Sequence, residues 1–146
     1  MAPDTPLAGI VCAAFLVLAG WHVYMAVTPR VGTSESGAVP SVGGKALFVP
    51  SRQATLAVAV VLLLFAGLVA ATAGLVPLAL PPVLLTWMSY ALALGLLARA
   101  IGEFKYVGFF KRVRGSRFAT LDTFVYSPLC LVLAAGVATV AARNTA

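Results

Sequence analysis

A few ionisable side chains of this sequence lie in or beside long apolar runs, where they can act as acids and bases. His22 is the only histidine and lies inside the apolar run 7–27. The catalytic candidates are His22, Glu103, Asp122 and Tyr126. Desolvation disfavours a charged carboxylate whereas a nearby arginine favours it, and such opposed influences are common at working sites. The pattern therefore predicts an acid–base or binding site.

The neighbours of these candidates suit a ligand that has a polar and an apolar part. The ligand-binding candidates are Trp21, Tyr24, Arg99, Phe104 and Ser127. We expect Arg99 to pair with Glu103, because residues four apart share one face of a helix. We expect Asp122 and His22 to form hydrogen bonds across helices at the same depth. The predicted ligand is a lipid-like or isoprenoid small molecule. We predict no metal and no cofactor, because one histidine offers no second imidazole and no local spacing motif supports a metal triad.

The composition indicates which solvent surrounds these residues. The chain has 146 residues, of which 62% are hydrophobic and 10% are charged, and its mean hydropathy is +1.04. A soluble domain has about a quarter charged residues, so a bilayer is the expected solvent. We predict an all-α integral membrane four-helix bundle that forms a single transmembrane domain, 1–146. The spans are expected at roughly 7–27, 54–76, 82–101 and 123–142, since about 20 apolar residues cross a membrane.

The basic residues are unevenly distributed between the expected loops. Loops 28–53 and 102–122, together with the adjoining helix ends, hold nine of the ten Lys and Arg residues. Cytoplasmic loops carry the Lys/Arg excess, so we predict cytoplasmic loops here and both termini on the non-cytoplasmic side. The basic stretch KRVRGSR adjoins a span, which argues against nucleic acid as a partner. Anionic lipid headgroups are instead expected at Lys111, Arg112, Arg114 and Arg117.

Small residues repeat along two of the expected spans. Ala66, Ala70 and Gly74 lie four apart in the second span, and Ala134, Ala138 and Ala142 do so in the fourth. Helices in lipid approach closely through such residues. The stripes predict helix contacts within one chain or between copies, so a homo-oligomer stays open. The role of loop 28–53 also stays open.

Three segments together resemble the signature of a known family. WHVY, RAIGEFKYVGFFKR and LDTFVYSPLC are similar to stretches of a family of small bacterial membrane proteins that is known only as a domain of unknown function. The resemblance implies a four-span protein of the bacterial inner membrane. The signature stretches contain His22, Tyr24, Arg99, Gly102, Glu103, Gly108, Asp122, Tyr126 and Pro128. It implies no activity for any of them.

Three functions remain open from the sequence. The first is an intramembrane enzyme or binding protein for an amphipathic small molecule. The second is an oligomeric subunit of a small transporter or channel, although the outer halves of three spans are almost entirely aliphatic. The third is a structural membrane protein in which the polar cluster only fixes the register of the helices. Whether the protein is an enzyme is left undecided.

Overall fold

The computed structural model describes residues 5–28 and 37–144, and within them helices dominate. The helices are α1 (Thr5–Val27), α2 (Arg52–Thr72), α3 (Pro82–Ile101), α4 (Arg117–Leu121) and α5 (Ser127–Asn144). A π-helical segment, Asp122–Tyr126, joins α4 to α5, and two short strands, β1 (Ser41–Val42) and β2 (Lys45–Ala46), precede α2. Among the described residues, four helices, with Arg117–Asn144 counted as one, are long and apolar enough to cross a membrane. The predicted all-α, four-span class is confirmed.

Local sequence signals decide where α2 begins and ends. The hydroxyl of Ser51 accepts a hydrogen bond from the backbone N–H of Ala54 at the first turn, as a serine N-cap does. At the other end, the N–H groups of Gly74 and Leu75 donate to the carbonyls of Ala71 and Ala70 at 3.0 and 2.8 Å. These bonds form a Schellman motif, which closes a helix. The helix therefore ends at Thr72, four residues before the limit expected from hydropathy.

The fourth long helix begins earlier than its apolar run. Ser116 caps it by accepting the N–H of Ala119 at 3.0 Å, so the helix starts at Arg117. The segment Asp122–Tyr126 then widens into a π-helix, in which the N–H of Ser127 donates to the carbonyl of Asp122, five residues back. Such π-helical turns within an α-helix are rare and often lie at functional sites. Hydropathy alone does not report either feature.

The bundle is built from two closely packed helix pairs, α1 on α2 and α3 on α5. Large side chains such as Phe15, Val69 and Val137 are fully buried between them. Small residues allow the close approach: a Cβ on Gly136 would lie 2.8 Å from a methyl group of Val11. Ala66 and Ala134, from the two expected stripes, are buried in this core. These contacts are within one chain.

A β-hairpin and its preceding residues pack at one end of the bundle. Val42 pairs with Lys45, and Gly43 and Gly44 form the two-residue turn with φ of 58° and 77°. A type I′ hairpin turn needs positive φ at both positions, which glycine adopts without strain. Gly37 is packed so closely that a Cβ would lie 2.6 Å from Leu121. Gly37 is thereby held against α4.

Candidate functional site

The centre of the candidate site is the carboxylate of Asp122, which is fully buried at the start of the π-helical segment. Its Oδ1 accepts a hydrogen bond from Nη2 of Arg99 at 2.9 Å. Its Oδ2 accepts from the backbone N–H of Gly108 at 2.6 Å and from Nζ of Lys111 at 3.1 Å. Buried charges are paired in this way because an unpaired one is very costly in a low dielectric. Asp122 therefore joins the end of α3, the α3–α4 loop and the fourth helix.

Lys111 is part of this buried cluster, although it was expected at lipid headgroups. Its side chain is 1% exposed. Besides Asp122, its ammonium group donates to the carbonyl of Gly108 at 2.9 Å and to the hydroxyl of Thr123 at 2.6 Å. All three ammonium protons thus have an acceptor inside the protein. The described bonds of Lys111 therefore all go to the protein itself, and headgroup binding at this residue stays a prediction.

A close backbone contact between two glycines places Lys111 and Gly108 beside Asp122. Gly102 ends α3 with φ of 85°, and Gly108 has φ of 91°. A Cβ on Gly102 would lie 2.6 Å from the Cα of Gly108 and would overlap the carbonyl of Val107. The N–H of Phe109 also donates to the carbonyl of Ala100 at 2.9 Å. The loop therefore turns back onto the end of α3, which only glycine permits at these positions.

Two buried polar atoms near the carboxylate have no hydrogen-bond partner within the described part of the chain. They are Nη1 of Arg99 and Oγ of Ser127. Most buried polar atoms in proteins are paired, so each exception calls for an explanation. Ser127 is fully buried, whereas the side chain of Arg99 is 37% exposed. Arg99 is thus anchored by Nη2 and retains hydrogen-bonding capacity at Nη1.

Arg99 also lines one end of an open apolar groove of about 610 Å³ between α2 and α3. The other walls are Phe65 and Leu68 of α2 and the α3 residues Met88, Ala91, Leu92, Gly95 and Leu96. The two helices are joined by a short turn and touch where Oγ1 of Thr72 meets Oγ of Ser89 at 2.9 Å. The groove therefore combines aliphatic and aromatic walls with one cationic residue.

Glu103 does not pair with Arg99, contrary to the expectation from their spacing. The helix α3 ends at Ile101 and Gly102 reverses the chain, so the four-residue rule for a helix face no longer holds at Glu103. Its carboxylate is exposed and accepts the backbone N–H of Tyr106 at 2.5 Å. Arg99 pairs with Asp122 instead. Glu103 therefore stabilises a turn of the α3–α4 loop.

The candidates on α1 are not in contact with the Asp122 cluster. Nδ1 of His22 lies 2.7 Å from the carbonyl oxygen of Leu18, one turn back on the same helix. Because a carbonyl oxygen can only accept, this contact is a hydrogen bond when Nδ1 carries the proton. Trp21 and Tyr24 are each 50% exposed, and their ring centroids lie 5.5 Å apart. The expected bond between His22 and Asp122 is therefore not formed. Amphipathic rings such as these two suit the membrane–water interface.

Tyr126 and Phe104 occupy two different surroundings. The hydroxyl of Tyr126 donates to the carbonyl of Gly37 at 3.2 Å, and its ring packs on Phe118 with centroids 5.8 Å apart. Tyr126 thereby connects the loop after α1 to the fourth helix. Phe104 is 55% exposed and lies near Phe110. The structure thus brings Arg99 and Asp122 together, adds Lys111 and Gly108, and buries Ser127 five residues after Asp122 on the fourth helix.

The comparisons with known proteins identify a family. A family model described as a protein of unknown function (DUF3995) matches residues 15–137. The match includes all three segments that carry the resemblance, which is confirmed. No curated protein and no solved structure matches the chain. Across residues 5–28 and 37–144, no group of three or more His, Cys, Asp and Glu side chains is placed to hold a metal ion.

Proposed function

The chain belongs to the DUF3995 family of proteins of unknown function, and we propose that it binds a lipid-like or isoprenoid small molecule in the groove between α2 and α3. The apolar part of the ligand lies along Phe65, Leu68 and Leu96. Its polar head, which carries an oxygen acceptor, receives a hydrogen bond from Arg99. The observation that carries this proposal is that Arg99, whose side chain is 37% exposed and is held by Asp122, lines one end of an apolar groove.

The chemistry of the groove favours an amphipathic ligand over a fully apolar one. Ligand sites are mostly apolar with a few placed polar groups that fix the orientation. A guanidinium group in such surroundings binds carboxylate or phosphate oxygens strongly. Arg99 is already held in place by Asp122 at 2.9 Å, so little side-chain entropy is lost when Arg99 binds a ligand. The Asp122 cluster therefore acts as a support for the binding residue.

The same geometry favours binding over acid–base chemistry at Asp122. Both carboxylate oxygens are occupied by Arg99, Gly108 and Lys111, and the side chain is fully buried. A general base must lie within hydrogen-bond reach of the proton that it removes. Asp122 has no access to a ligand without loss of these bonds. His22, Glu103 and Tyr126 each contact a nearby backbone group and lie apart from one another.

The proposed location is the inner membrane of a bacterium, with both termini on the non-cytoplasmic side. The hairpin and the α3–α4 loop line one recess, so the described bases of both loops lie at one end of the bundle. The other end carries Arg143. A strong charge asymmetry of this kind sets the orientation of multi-span proteins. Cysteine labelling from either side of sealed vesicles, at Gly43→Cys and at Gly74→Cys in a chain lacking its native cysteines, tests this orientation.

A pair of glycine substitutions tests the ligand proposal. Gly95 lines the groove, whereas Gly67 is exposed on α2 outside it, and a Cβ at either position meets no atom within 4 Å. Gly95→Leu fills the groove, and Gly67→Leu adds the same side chain elsewhere. With farnesoic acid as the probe in native mass spectrometry, we expect Gly95→Leu to weaken binding by about tenfold or more, or about 1.4 kcal/mol. Gly67→Leu should bind as the unmodified protein does.

Arg99→Lys examines the polar end of the same groove. Lysine keeps a charge beside Asp122 but offers no second nitrogen in a fixed fork. In comparison with the unmodified chain, we expect clearly weaker binding of farnesoic acid, whose carboxylate can accept paired N–H groups, and a smaller loss for farnesol, whose hydroxyl oxygen accepts a single bond. Equal binding of farnesoic acid by all three variants and the unmodified protein, or no binding by any of them, would show that the groove is not a site for this class of ligand.

A further inference from the structure

A second recess lies where the β-hairpin meets the residues before α4, and it differs from the groove because its walls are more polar and include two basic residues. Its volume is about 430 Å³. The hairpin turn 41–44 forms one wall, and residues 113–117 form the other. Arg114 and Arg117 both line it, and both are exposed. The described lining residues include these two cations and no carboxylate.

The recess lies at the level where lipid headgroups are expected. Residue Arg117 begins the membrane-length helix Arg117–Asn144, so the basic wall is at the very end of a span. Apolar side chains of the hairpin segment are exposed next to it: Val42 is 47% and Phe48 is 56% exposed. Exposed apolar side chains beside basic ones are typical of segments that lie in the membrane interface. These two observations favour a position of the recess at the level of the headgroups.

We propose that this recess binds the phosphate group of an anionic phospholipid. Arg114, whose Nε donates to the carbonyl of Lys111 at 3.4 Å, and Arg117 place two guanidinium groups at the recess. The planar guanidinium group matches phosphate oxygens in a bidentate geometry. Ser116 lies between them, and its Oγ already accepts the N–H of Ala119, so its hydroxyl proton is directed elsewhere and can donate to a phosphate oxygen. The glycine turn of the hairpin gives a headgroup room, because a Cβ on Gly43 or Gly44 would meet no atom within 4 Å.

This site is independent of the groove between α2 and α3. The two cavities share no lining residue, so either can fail without the other. The proposal is also more specific than a general attraction between a basic surface and acidic lipid, because it requires only the two arginines of the recess. Lys105 and Arg112 belong to the same α3–α4 loop and are exposed, but neither lines the recess. They carry the same combined charge as Arg114 and Arg117, which makes them a matched control.

The experiment compares three double variants in nanodiscs of phosphatidylcholine with a minor fraction of phosphatidylglycerol. The pocket variant is Arg114→Gln with Arg117→Gln, and the control is Lys105→Gln with Arg112→Gln. The third variant, Arg114→Lys with Arg117→Lys, keeps the charge and removes the fork geometry. Native mass spectrometry of the released protein measures retained phosphatidylglycerol relative to phosphatidylcholine. We expect the pocket variant to lose about tenfold in this ratio, the control to lose little, and the lysine variant to fall between them.

A second arm separates the source of the phosphate. Inorganic phosphate is added to the protein in phosphatidylcholine nanodiscs, and the midpoint of thermal unfolding is followed. If inorganic phosphate raises the unfolding midpoint of the unmodified protein but not that of the pocket variant, the recess binds phosphate. The ligand is then the soluble ion, and the assignment to a phospholipid is overturned. An equal loss of phosphatidylglycerol in the pocket and control variants would overturn the proposal in favour of general electrostatics. If the pocket variant with two glutamines does not fold, the lysine variant provides the test. Equal retention of phosphatidylglycerol by the lysine variant and the unmodified protein would then overturn the proposal.

Discussion

The two ends of the bundle are held by different chemistry. At the α2–α3 turn, neutral groups meet: Oγ1 of Thr72 lies 2.9 Å from Oγ of Ser89, and Nδ2 of Asn144 donates to Oγ1 of Thr86 at 2.9 Å. At the opposite end, the carboxylate of Asp122 joins two cationic side chains and a backbone N–H. Neutral bonds thus connect helices at one end, and a charge cluster fixes helices and a loop at the other.

The difference shows what a buried charge adds to a small helical bundle. Interhelical hydrogen bonds in membranes are worth about 0.6 kcal/mol on average, which is enough to select a register between helices that already touch. A fifteen-residue loop of irregular backbone needs a stronger constraint, and Asp122 supplies it through Gly108 and Lys111. The charged end also places the 37% exposed side chain of Arg99 at the end of the apolar groove. We connect binding with this end for that reason.

The largest effect is expected from Asp122→Asn. The substitution removes the negative charge and leaves the ammonium group of Lys111 buried without an anion, which costs about 3–5 kcal/mol. Unfolding in mixed micelles with increasing dodecyl sulfate measures the loss in free energy of unfolding. Adding Lys111→Met to the variant should restore part of that loss, because it removes the unpaired charge. No restoration by the second substitution would argue that Lys111 and Asp122 are not coupled.

A smaller effect at the same end is expected from Tyr126→Phe. The variant keeps the ring contact with Phe118 and loses the hydrogen bond to the carbonyl of Gly37 at 3.2 Å. The expected loss is about 0.5–1.5 kcal/mol. The loop before the hairpin should be released locally, so trypsin should cleave faster after the exposed Lys45. An unchanged cleavage rate together with unchanged stability would contradict the role of Tyr126 as the anchor of this loop.

At the neutral end, Ser89→Ala should have a smaller effect still. Oγ1 of Thr72 donates to the carbonyl of Leu68 at 2.8 Å, so Ser89 is the donor to Thr72 and its removal leaves no buried donor unpaired. We expect a loss of about 0.6 kcal/mol in the free energy of unfolding. The same micelle titration measures it. A loss as large as that of Asp122→Asn would mean that the two ends do not differ in the way described above.

The smallest effect is expected from Glu103→Gln. The carboxylate is exposed and receives one backbone N–H, from Tyr106, and a glutamine oxygen can accept the same bond. The change in stability should stay within about 0.5 kcal/mol, as for most surface substitutions. It also serves as the charge control for Asp122→Asn, because each variant removes one negative charge from the same end. A large loss in the free energy of unfolding would indicate that Glu103 interacts with the Asp122 cluster.

Much of the fold follows from the sequence because bilayer spans leave strong signals. Length and apolarity predict four helices with Arg99, Asp122 and Ser127 at one depth, and the structure joins Arg99 to Asp122 by an ion pair. Lys111 was missed because it lies in KRVRGSR, where its neighbours are exposed bases. Gly108, three residues before Lys111, is a sequence feature that indicates a tight loop. Such a loop brings the lysine back toward the end of α3. The composition of the stretch concealed it.

Two other differences come from backbone geometry that side-chain spacing does not report. Arg99 and Glu103 are four residues apart, but the helix ends between them at Ile101. The hairpin was missed although it carries the Gly43–Gly44 pair, because its strands have only two residues each and show no alternating pattern. The residues 29–36 of the same loop lie outside the described part of the chain. Whether such short strands form depends on their contacts with the rest of the fold and not on a pattern in their own residues.

The π-helical segment has a consequence for chain length. Five residues, Asp122–Tyr126, span a turn closed by a bond from Ser127 to a carbonyl five positions back, one position more than in an α-helix. The turn absorbs one surplus residue while the helix faces before and after it keep their directions. Deleting Phe124, which is 77% exposed, should therefore convert this stretch to ordinary α-helix and leave Leu133 and Val137 in the core. Homologues one residue shorter at this point would be expected to keep the bundle and lose the wide turn beside Asp122.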